Sequence, residues 1–239
     1  AVSNQPLVFK DCILICNGEI YNYNTLYSYI DTLPTTNSDC EVIIHMYKKY
    51  GMDYTLNNLD GVFSFILYDQ LLNTIYIARD PYGVRPLFML QQTKRYESNL
   101  ESANILAFAS ELKQLIDIQL LLCHPLFNTV NITQFKPGHY MTLNYLNDWY
   151  IKEVTRYSTP GFLIMKQVPY NDILNMIKNK FIEAVIKRVV GTTDRPVACL
   201  LSGGLDSSLV TSLVSRYVPN LETFSIGLEG SEDLKYAKQ

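Results

Sequence analysis

Short apolar runs fill the first two thirds of the chain and are separated by polar turns. Runs of this length, several of them apolar throughout, predict β-strands that are covered on both faces. The predicted strands are residues 12–16, 62–68, 75–78, 87–90, 105–109 and 139–143. Turn residues at 69–73 indicate a hairpin between two of these strands. The pattern therefore favours an α+β fold with at least two sheets.

Two helices interrupt the strands of this region. The first is predicted at residues 24–33. The second opens at Ser38, and Glu41 follows three residues later, which is the spacing of a capping box that bonds the free N–H groups of a helix start. The apolar face of this helix consists of Val42, Ile43, Met46, Tyr47 and Tyr50. Gly51 is a residue at which the helix can end.

A break in the pattern precedes the last third of the chain. Ser158-Thr159-Pro160-Gly161 is typical of a linker, so we predict a first domain at residues 1–157, a linker at 158–168 and a second domain at 169–239. In the second domain we predict an amphipathic helix at 170–190, a buried strand at 196–201, a helix at 206–217 and a strand at 221–228. This order of strand, helix and strand predicts a parallel βαβ unit.

Composition narrows the expected partners and location. With 48% apolar residues among 239 and a formal charge of −3, the chain is neither disordered nor strongly basic. Nucleic acid and membranes are therefore not expected as partners, and no apolar run has the roughly 18–20 residues of a membrane-spanning helix. The N-terminus lacks the segments of a secretory signal, and the five cysteines form no CxxC pair. We expect reduced thiols in a cytoplasmic protein.

The most informative segment is Ser202-Gly203-Gly204-Leu205-Asp206-Ser207-Ser208, which follows an apolar strand and precedes a helix. The two glycines allow a sharp turn, and the helix directs free N–H groups and the positive end of its dipole towards the loop. With three serine hydroxyls, the segment is suited to bind phosphate or pyrophosphate. Asp206 can hold a magnesium ion or simply cap the helix. A glycine turn followed by a cap is the alternative that needs no ligand.

A second candidate site follows the strand at residues 12–16. The side-chain amide of Asn17 and the unobstructed N–H of Gly18 can stabilise an oxyanion. The carboxylates of Glu19 and Asp39 can bind an α-ammonium group. Taken singly, an ordinary turn explains Asn17-Gly18, and a favourable charge at a helix start explains Asp39.

Residues 197–208 resemble the pyrophosphate loop of the ATP-pyrophosphatase (PP-loop) family, whose members cleave ATP between the α and β phosphates and activate a substrate as an adenylate. Residues 223–228 resemble the second strand of that family. The resemblance implies nucleotide contacts at Leu201, Ser202, Gly203, Gly204, Asp206, Ser207, Ser208 and Ile226. The backbone of Ile226 would hold adenine, and Asp206 is the candidate magnesium ligand.

Five segments of the first domain resemble class II glutamine amidotransferases in their order along the chain. They are residues 17–22, 38–43, 59–65, 79–87 and 108–111. With the PP-loop behind them, they make the chain similar to the glutamine-hydrolysing asparagine synthetase family from about residue 5 to residue 238. The resemblance implies stacked antiparallel sheets with helices, as in NTN hydrolases, followed by the start of an α/β nucleotide domain with a parallel sheet.

The same resemblance assigns roles to residues of the first domain. It places the oxyanion hole at Asn17 and Gly18, and glutamine binding at these two residues together with Glu19 and Asp39. Three further charged residues are interpreted as members of structural or domain-interface ion pairs rather than as catalysts. They are Arg79, Asp80 and Arg85.

The implied reaction is the ATP-dependent amidation of aspartate to asparagine through β-aspartyl-AMP, with release of AMP and pyrophosphate. Glutamine, hydrolysed through a cysteine thioester, would supply the ammonia. The implied cofactors are ATP and Mg²⁺. The implied partners are the small molecules glutamine, aspartate and ATP, together with a second copy of the chain in a homodimer.

One part of the family pattern is missing from this sequence. Class II amidotransferases use an N-terminal cysteine, whereas this chain begins with Ala1, and none of its five cysteines matches that position. We therefore expect a central piece of a longer protein, with the aspartate-binding segment beyond Gln239. A β-lactam-forming synthetase of the same architecture stays open, since such relatives tend to lose this cysteine, and the true N-terminus discriminates it. A non-catalytic nucleotide-binding module also stays open, and it would bind ATP without releasing pyrophosphate.

Overall fold

The structure, a computed structural model, describes residues 4–94, 104–122, 128–146, 148–159, 161, 168–191 and 196–238. Contacts divide the chain into two compact units, residues 1–161 and 162–239, called here the first unit and the second unit. The predicted linker at 158–168 spans this division, and its residues 160 and 162–167 lie outside the described part. The domain limits at 157 and 169 stay predictions.

Two antiparallel sheets form the centre of the first unit. Their strands are β1 Leu7–Phe9, β2 Cys12–Ile20, β3 Gly61–Asp69, β4 Thr74–Arg79, β5 Phe88–Lys94, β6 Asn104–Ala109, β7 Asn128–Gln134, β8 His139–Tyr145 and β9 Trp149–Arg156. Within the described residues, the larger sheet has the order β1-β2-β3-β4-β8-β9 and the smaller sheet the order β6-β5-β7. The predicted hairpin is confirmed, because β3 and β4 pair antiparallel around the turn after Asp69.

Helices cover the outer faces of both sheets. They are α1 Tyr23–Ile30, α2 Val42–Tyr50, α3 Met52–Asn58 and α4 Lys113–Leu122, and a 3₁₀ turn at Asp39–Glu41 precedes α2. Phe63 of the larger sheet packs in one core with Ile43 of α2, and Leu115 of α4 packs against Leu90 of the smaller sheet. A separate apolar cluster around Ile77 and Leu87 fills the space between the sheets. The layers therefore run helices, sheet, sheet, helix, which confirms the predicted fold class of the first domain.

The second unit begins with a long helix and contains a parallel pair of strands. Its elements are α5 Tyr170–Gly191, β10 Ala198–Leu200, α6 Leu205–Val214, β11 Glu222–Phe224 and α7 Glu232–Ala237. β10 and β11 are parallel with α6 between them, which confirms the predicted order of strand, helix and strand. Both strands are shorter than predicted, because each finds a ladder partner over only three residues. The core of the unit contains Val185, Cys199, Leu213 and Val214.

The first helix also differs from its prediction at the end. α1 stops at Ile30 because Asp31 adopts the left-handed conformation, with φ of 52°. Further along the chain, Gly51 ends α2 with φ of 81°, as predicted. Among the described residues, no helix combines the length and the apolar character needed to cross a membrane.

Candidate functional site

The segment Asn17–Ile20 lies inside a strand rather than after one. β2 continues past the predicted end at residue 16, and Asn17, Gly18 and Glu19 stand opposite Ser64, Phe63 and Val62 of β3. The interpretation of Asn17-Gly18 as an ordinary turn is therefore wrong. The strand presents Asn17 and Glu19 on one face and Gly18 and Ile20 on the other, because successive side chains alternate.

Two glycines allow β2 and β3 to approach closely at this point. A Cβ atom on Gly18 would lie 2.5 Å from the carbonyl oxygen of Val62 and 2.7 Å from Cα of Phe63. A Cβ atom on Gly61 would lie 2.3 Å from the carbonyl oxygen of Glu19. Gly18 is thus required by the packing of the strands, in addition to any role of its N–H group.

The amide of Asn17 lies at the edge of a small cavity in the first unit. Its Nδ2 atom donates to Oγ of Ser110 at 3.2 Å. The cavity has a volume of about 200 Å³, and its lining includes Gln5, Asn17, Ser64, Leu87, Phe108 and Ser110. The side chain of Gln5 bonds the backbone of Cys16 through both its oxygen (2.7 Å) and its nitrogen (2.6 Å). Sequence reasoning assigned no role to Gln5, nor to Ser110 within the matching segment 108–111, since neither residue is near Asn17 in the sequence.

Asp39 reaches the end of β2 from the 3₁₀ turn. Its Oδ2 atom accepts a hydrogen bond from the N–H of Ile20 at 2.5 Å. Burial raises the pKa of Asp39, and the negative charge of Glu19 raises it further, while the N–H groups of Ile20 and Cys40 act in the opposite direction. Asp39 is therefore more than a favourable charge at a helix start. Two carboxylates act on each other here, and a bound cation would relieve their repulsion.

The predicted capping box before α2 is wrong. Ser38 makes no side-chain bond to the helix start, and the carboxylate of Glu41 turns back to the preceding loop, where it accepts from Thr35 and Thr36. The spacing of Ser38 and Glu41 fits the motif, but four donors of one loop compete successfully for the carboxylate.

The thiols near this site are buried. Sγ of Cys40 donates to the carbonyl oxygen of Gly18 at 3.7 Å. A hydrogen bond with Cys16 and burial raise the pKa of Cys40, and burial raises the pKa of Cys12 to about 12. Nucleophilic thiols need a lowered pKa, so Cys12 and Cys40 do not have the environment of a nucleophile. Cys123 lies outside the described residues.

Arg79 and Asp80 hold a loop through its backbone, which corrects the interpretation that they form ion pairs. The guanidinium of Arg79 donates to the carbonyl oxygens of Gly83, Arg85 and Phe135 at 2.6–2.7 Å. The carboxylate of Asp80 accepts from the N–H groups of residues 63, 82, 84 and 85 at 3.0–3.3 Å. Their structural role is confirmed, but their partners are peptide groups.

In the second unit, the loop after β10 is open to solvent. Ser202, Gly204, Asp206 and Ser208 are exposed, and α6 begins at Leu205 without a side-chain cap. Asp206 therefore does not serve as the helix cap. The Oγ atoms of Ser202 and Ser207 lie 2.9 Å apart. The uncapped N–H groups of the first turn and the exposed hydroxyls suit an anion.

Neighbouring segments fix the backbone of this loop. Gly203 has φ of +85°, and a Cβ atom there would lie 2.3 Å from the carbonyl oxygen of Asp233 in α7, so the position requires glycine. The N–H of Leu201 donates to the carbonyl of Phe224 at 2.8 Å, and the hydroxyl of Ser225 donates to the carbonyl of Leu201 at 2.6 Å. These bonds connect the loop to the segment of Ile226, whose side chain is 98% exposed.

Comparison with known proteins identifies the class. Residues 1–148 match the family model for a glutamine amidotransferase domain, and residues 176–239 match the family model for asparagine synthase. The chain belongs to the glutamine amidotransferase family, and its last quarter resembles asparagine synthase. The resemblance that the motifs indicated is thereby confirmed.

Two asparagine synthetases are similar to the chain over almost all of its length. The chain is 36% identical to asparagine synthetase [glutamine-hydrolyzing] 1 of Arabidopsis thaliana, over 100% of this chain and 38% of that protein. It is 36% identical to the Rattus norvegicus asparagine synthetase, over 95% of this chain and 41% of that protein. The chain thus spans about two fifths of the length of these relatives. A solved structure of glutamine phosphoribosylpyrophosphate amidotransferase from B. subtilis matches 97% of this chain and 52% of its own, at 18% identity and a TM-score of 0.48.

Proposed function

We propose that the protein is a glutamine-dependent asparagine synthetase. It would transfer the amide nitrogen of glutamine to the β-carboxyl group of aspartate at the expense of ATP. The observation that carries this proposal is the presence of two candidate sites, one after the other, on the same chain. An amide, a glycine and two acids gather at the end of β2, and an exposed, uncapped helix start follows in the second unit.

The first unit would bind and hydrolyse glutamine. Glu19 and Asp39 would hold the α-ammonium group, whose positive charge relieves the repulsion between the two carboxylates. The Nδ2 atom of Asn17 and the N–H of Gly18 would donate to the oxyanion that forms when the amide carbon is attacked. The attacking thiol would be neither Cys12 nor Cys40, since both are buried with a raised pKa. The products are glutamate and ammonia.

The second unit would bind ATP and activate aspartate. The β-carboxylate attacks the α-phosphorus, the bond to the pyrophosphate oxygen breaks, and β-aspartyl-AMP forms. Ammonia then attacks the acyl carbon, AMP leaves with the bonding electron pair, and loss of a proton gives asparagine. The N–H groups and hydroxyls of residues 202–208 would stabilise the departing pyrophosphate, with Leu201 and Ile226 beside the nucleotide. Asp206 would hold a Mg²⁺ ion, which neutralises phosphate charge when bound.

The proposal also includes the cellular location of the protein and its partners. We propose a cytoplasmic location, supported by free, buried thiols at Cys12, Cys16, Cys40 and Cys199. The partners would be glutamine, aspartate and ATP, with a second copy of the chain in a homodimer.

The test is pyrophosphate release by the full-length protein with ATP, aspartate and ammonia. We expect release over many turnovers that depends on all three and falls about 100-fold in Asp206→Ala. Asp172→Ala is the matched control, since Asp172 is also an exposed acid in the first turn of a helix. No release, or equal release by Asp206→Ala and the natural protein, would contradict the proposal. ATP binding without release would indicate a non-catalytic module. Release with a substrate that carries its own attacking amine, but not with aspartate and ammonia, would indicate the β-lactam-forming reaction.

A further inference from the structure

Glu41 is a buried carboxylate beside the candidate glutamine site that the proposed function leaves without a role. It is 1% exposed and follows Asp39 by two residues. Its Oε1 atom accepts from the N–H and the hydroxyl of Thr35 at 2.9 and 2.5 Å and lies 2.9 Å from Nε2 of His45. Its Oε2 atom accepts from the N–H and the hydroxyl of Thr36 at 2.6 and 2.5 Å. Five polar contacts thus converge on one side chain.

The loop that Glu41 holds leads directly into Asp39. Residues 33–38 form no helix or strand, so their conformation depends on such contacts. The hydroxyl of Thr36 also accepts from the N–H of Ser38 at 3.2 Å, and the N–H of Glu41 donates to the carbonyl of Ser38 at 3.3 Å. Glu41 is therefore connected to Ser38, the residue before Asp39, in two ways. One connection runs through the hydroxyl of Thr36, and the other is the hydrogen bond from the N–H of Glu41 itself.

His45 connects this anchor to the core of the first unit. It lies one helical turn after Glu41 on α2 and is buried. Its ring packs against Phe9 of β1 with centroids 4.3 Å apart, and against Tyr27 of α1 with centroids 5.6 Å apart. The loop before Asp39 is thereby tied to rigid elements through a single carboxylate.

We propose that Glu41 is a positioning residue for glutamine binding, which fixes the carboxylate of Asp39 at the end of β2. The inference rests on the proposed role of Asp39 in binding the α-ammonium group. Oδ2 of Asp39 is 2.5 Å from the nitrogen of Ile20, so a shift of the turn breaks this bond and displaces the carboxylate from the end of β2. A displacement of about 1 Å at a binding group can cost about 100-fold in activity.

The test compares Glu41→Gln, Thr36→Val and Asp69→Asn in the full-length protein, with glutamine or ammonia as nitrogen donor. Glu41→Gln keeps the size of the side chain but replaces one acceptor oxygen by a donor. Thr36→Val removes one hydroxyl donor and is a milder change. Asp69→Asn is the matched control, because Asp69 is also a buried carboxylate, bonded by Tyr47 and the N–H of residue 72. It lies opposite residue 12, at the other end of β2.

We expect Glu41→Gln to raise KM for glutamine about tenfold or more and Thr36→Val about threefold, with the ammonia-dependent rate unchanged. Asp69→Asn should lower the melting temperature without changing KM for glutamine. An unchanged KM in Thr36→Val and in folded Glu41→Gln would overturn the inference, as would an equal rise in Asp69→Asn. Asp39→Asn separates the two proposals. If Asp39→Asn leaves glutamine use intact, the proposed glutamine site is wrong, whatever Glu41 does.

Discussion

Buried carboxylates hold the irregular segments of the first unit, and peptide N–H groups are their main partners. Glu41 fixes the loop before the 3₁₀ turn, Asp80 fixes the loop between β4 and β5, and Asp69 fixes the turn after β3. Hydrogen bonds from backbone to a charged acceptor are stronger than neutral ones, and they also define the geometry of a loop that has no ladder of its own. Single acidic residues therefore determine much of the local structure here.

Glu41 should make the stability of the protein depend on acid pH. Burial acts to raise its pKa, but the hydrogen bonds from Thr35, Thr36 and His45 outweigh burial and lower the pKa to about 2, from an ordinary value of 4.5. A lowered pKa stabilises the folded state at pH above 4.5, by roughly 3 kcal/mol, and this contribution is lost as the pH falls from 4.5 to 2. Urea unfolding between pH 2.5 and 7 should show that Glu41→Gln removes this acid-dependent part.

Asp39→Asn is the comparison for that measurement. Because burial raises the pKa of Asp39, its ionised form opposes folding above its ordinary pKa, and the asparagine variant should be no less stable than the natural protein at pH 7. Equal pH profiles for Glu41→Gln and the natural protein would show that the bonds to Glu41 do not contribute as inferred.

Candidate site residues could be selected from the sequence, but their contacts could not be predicted from it. Asn17, Gly18, Glu19 and Asp39 were selected for their chemistry, and the structure gathers them at the end of β2. The contact of Asn17 with Ser110 spans 93 positions of the chain and has no local signal. The carboxylate of Glu41 was assigned to a cap because spacing alone does not reveal the competing donors of the preceding loop.

At the scale of elements, apolar runs located strands well but not their ends. The run at residues 12–16 marks the first part of β2, yet the strand continues to the buried Ile20, because Gly61 on β3 allows the two backbones to remain paired. β7 and β9 were not predicted, since polar and apolar residues mix along them without a long apolar run. They form because β7 pairs with β5 and β9 pairs with β8, and a local sequence pattern does not reveal such pairing partners.

The loop between β4 and β5 allows a test of whether a buried charged side chain determines the conformation of a loop. Arg79 is 3% exposed, and three different nitrogens of its guanidinium donate to three carbonyl oxygens. Arg79→Lys keeps the charge, but an ammonium on a flexible stem does not reproduce this planar fork. We expect a loss of roughly 2–3 kcal/mol in the free energy of unfolding. Limited proteolysis should also become faster at the exposed Tyr82, and an unchanged cleavage rate would contradict the role of Arg79.

At the scale of the molecule, the sequence was sufficient to predict the order of two modules. Motifs of the first 111 residues and of residues 197–228 lie within matches to two different family models, and the structure divides the chain between them, at 161 and 162. The lengths of β10 and β11 were overestimated, because the ladder that defines a strand depends on partners supplied by the rest of the sheet. Each unit has its own apolar core, so each site is supported by its own fold.

Separate sites on separate units should respond separately to substitution. Asp39→Asn in the full-length protein should lower glutamine-dependent asparagine synthesis about 100-fold and leave ammonia-dependent synthesis unchanged, because the loop at residues 202–208 is untouched. Gly203→Ala should lower synthesis with either donor, since its Cβ atom would lie 2.3 Å from the carbonyl of Asp233 and displace the loop at residues 202–208. Glutamate formation from glutamine alone should survive in Gly203→Ala.

Gly230→Ala is the control for Gly203→Ala. It distinguishes the effect of a steric clash of the added Cβ atom from the effect of backbone strain at a positive φ. Gly230 has φ of +82°, close to the +85° of Gly203, but nothing lies within 4 Å of its Cβ position. Its alanine variant should therefore lose only the roughly 1–2 kcal/mol of a left-handed residue and keep pyrophosphate release. Measuring asparagine, glutamate and pyrophosphate for the three variants with both donors resolves the two sites. If Asp39→Asn lowered ammonia-dependent synthesis as much as glutamine-dependent synthesis, Asp39 would act on the whole protein rather than on glutamine binding.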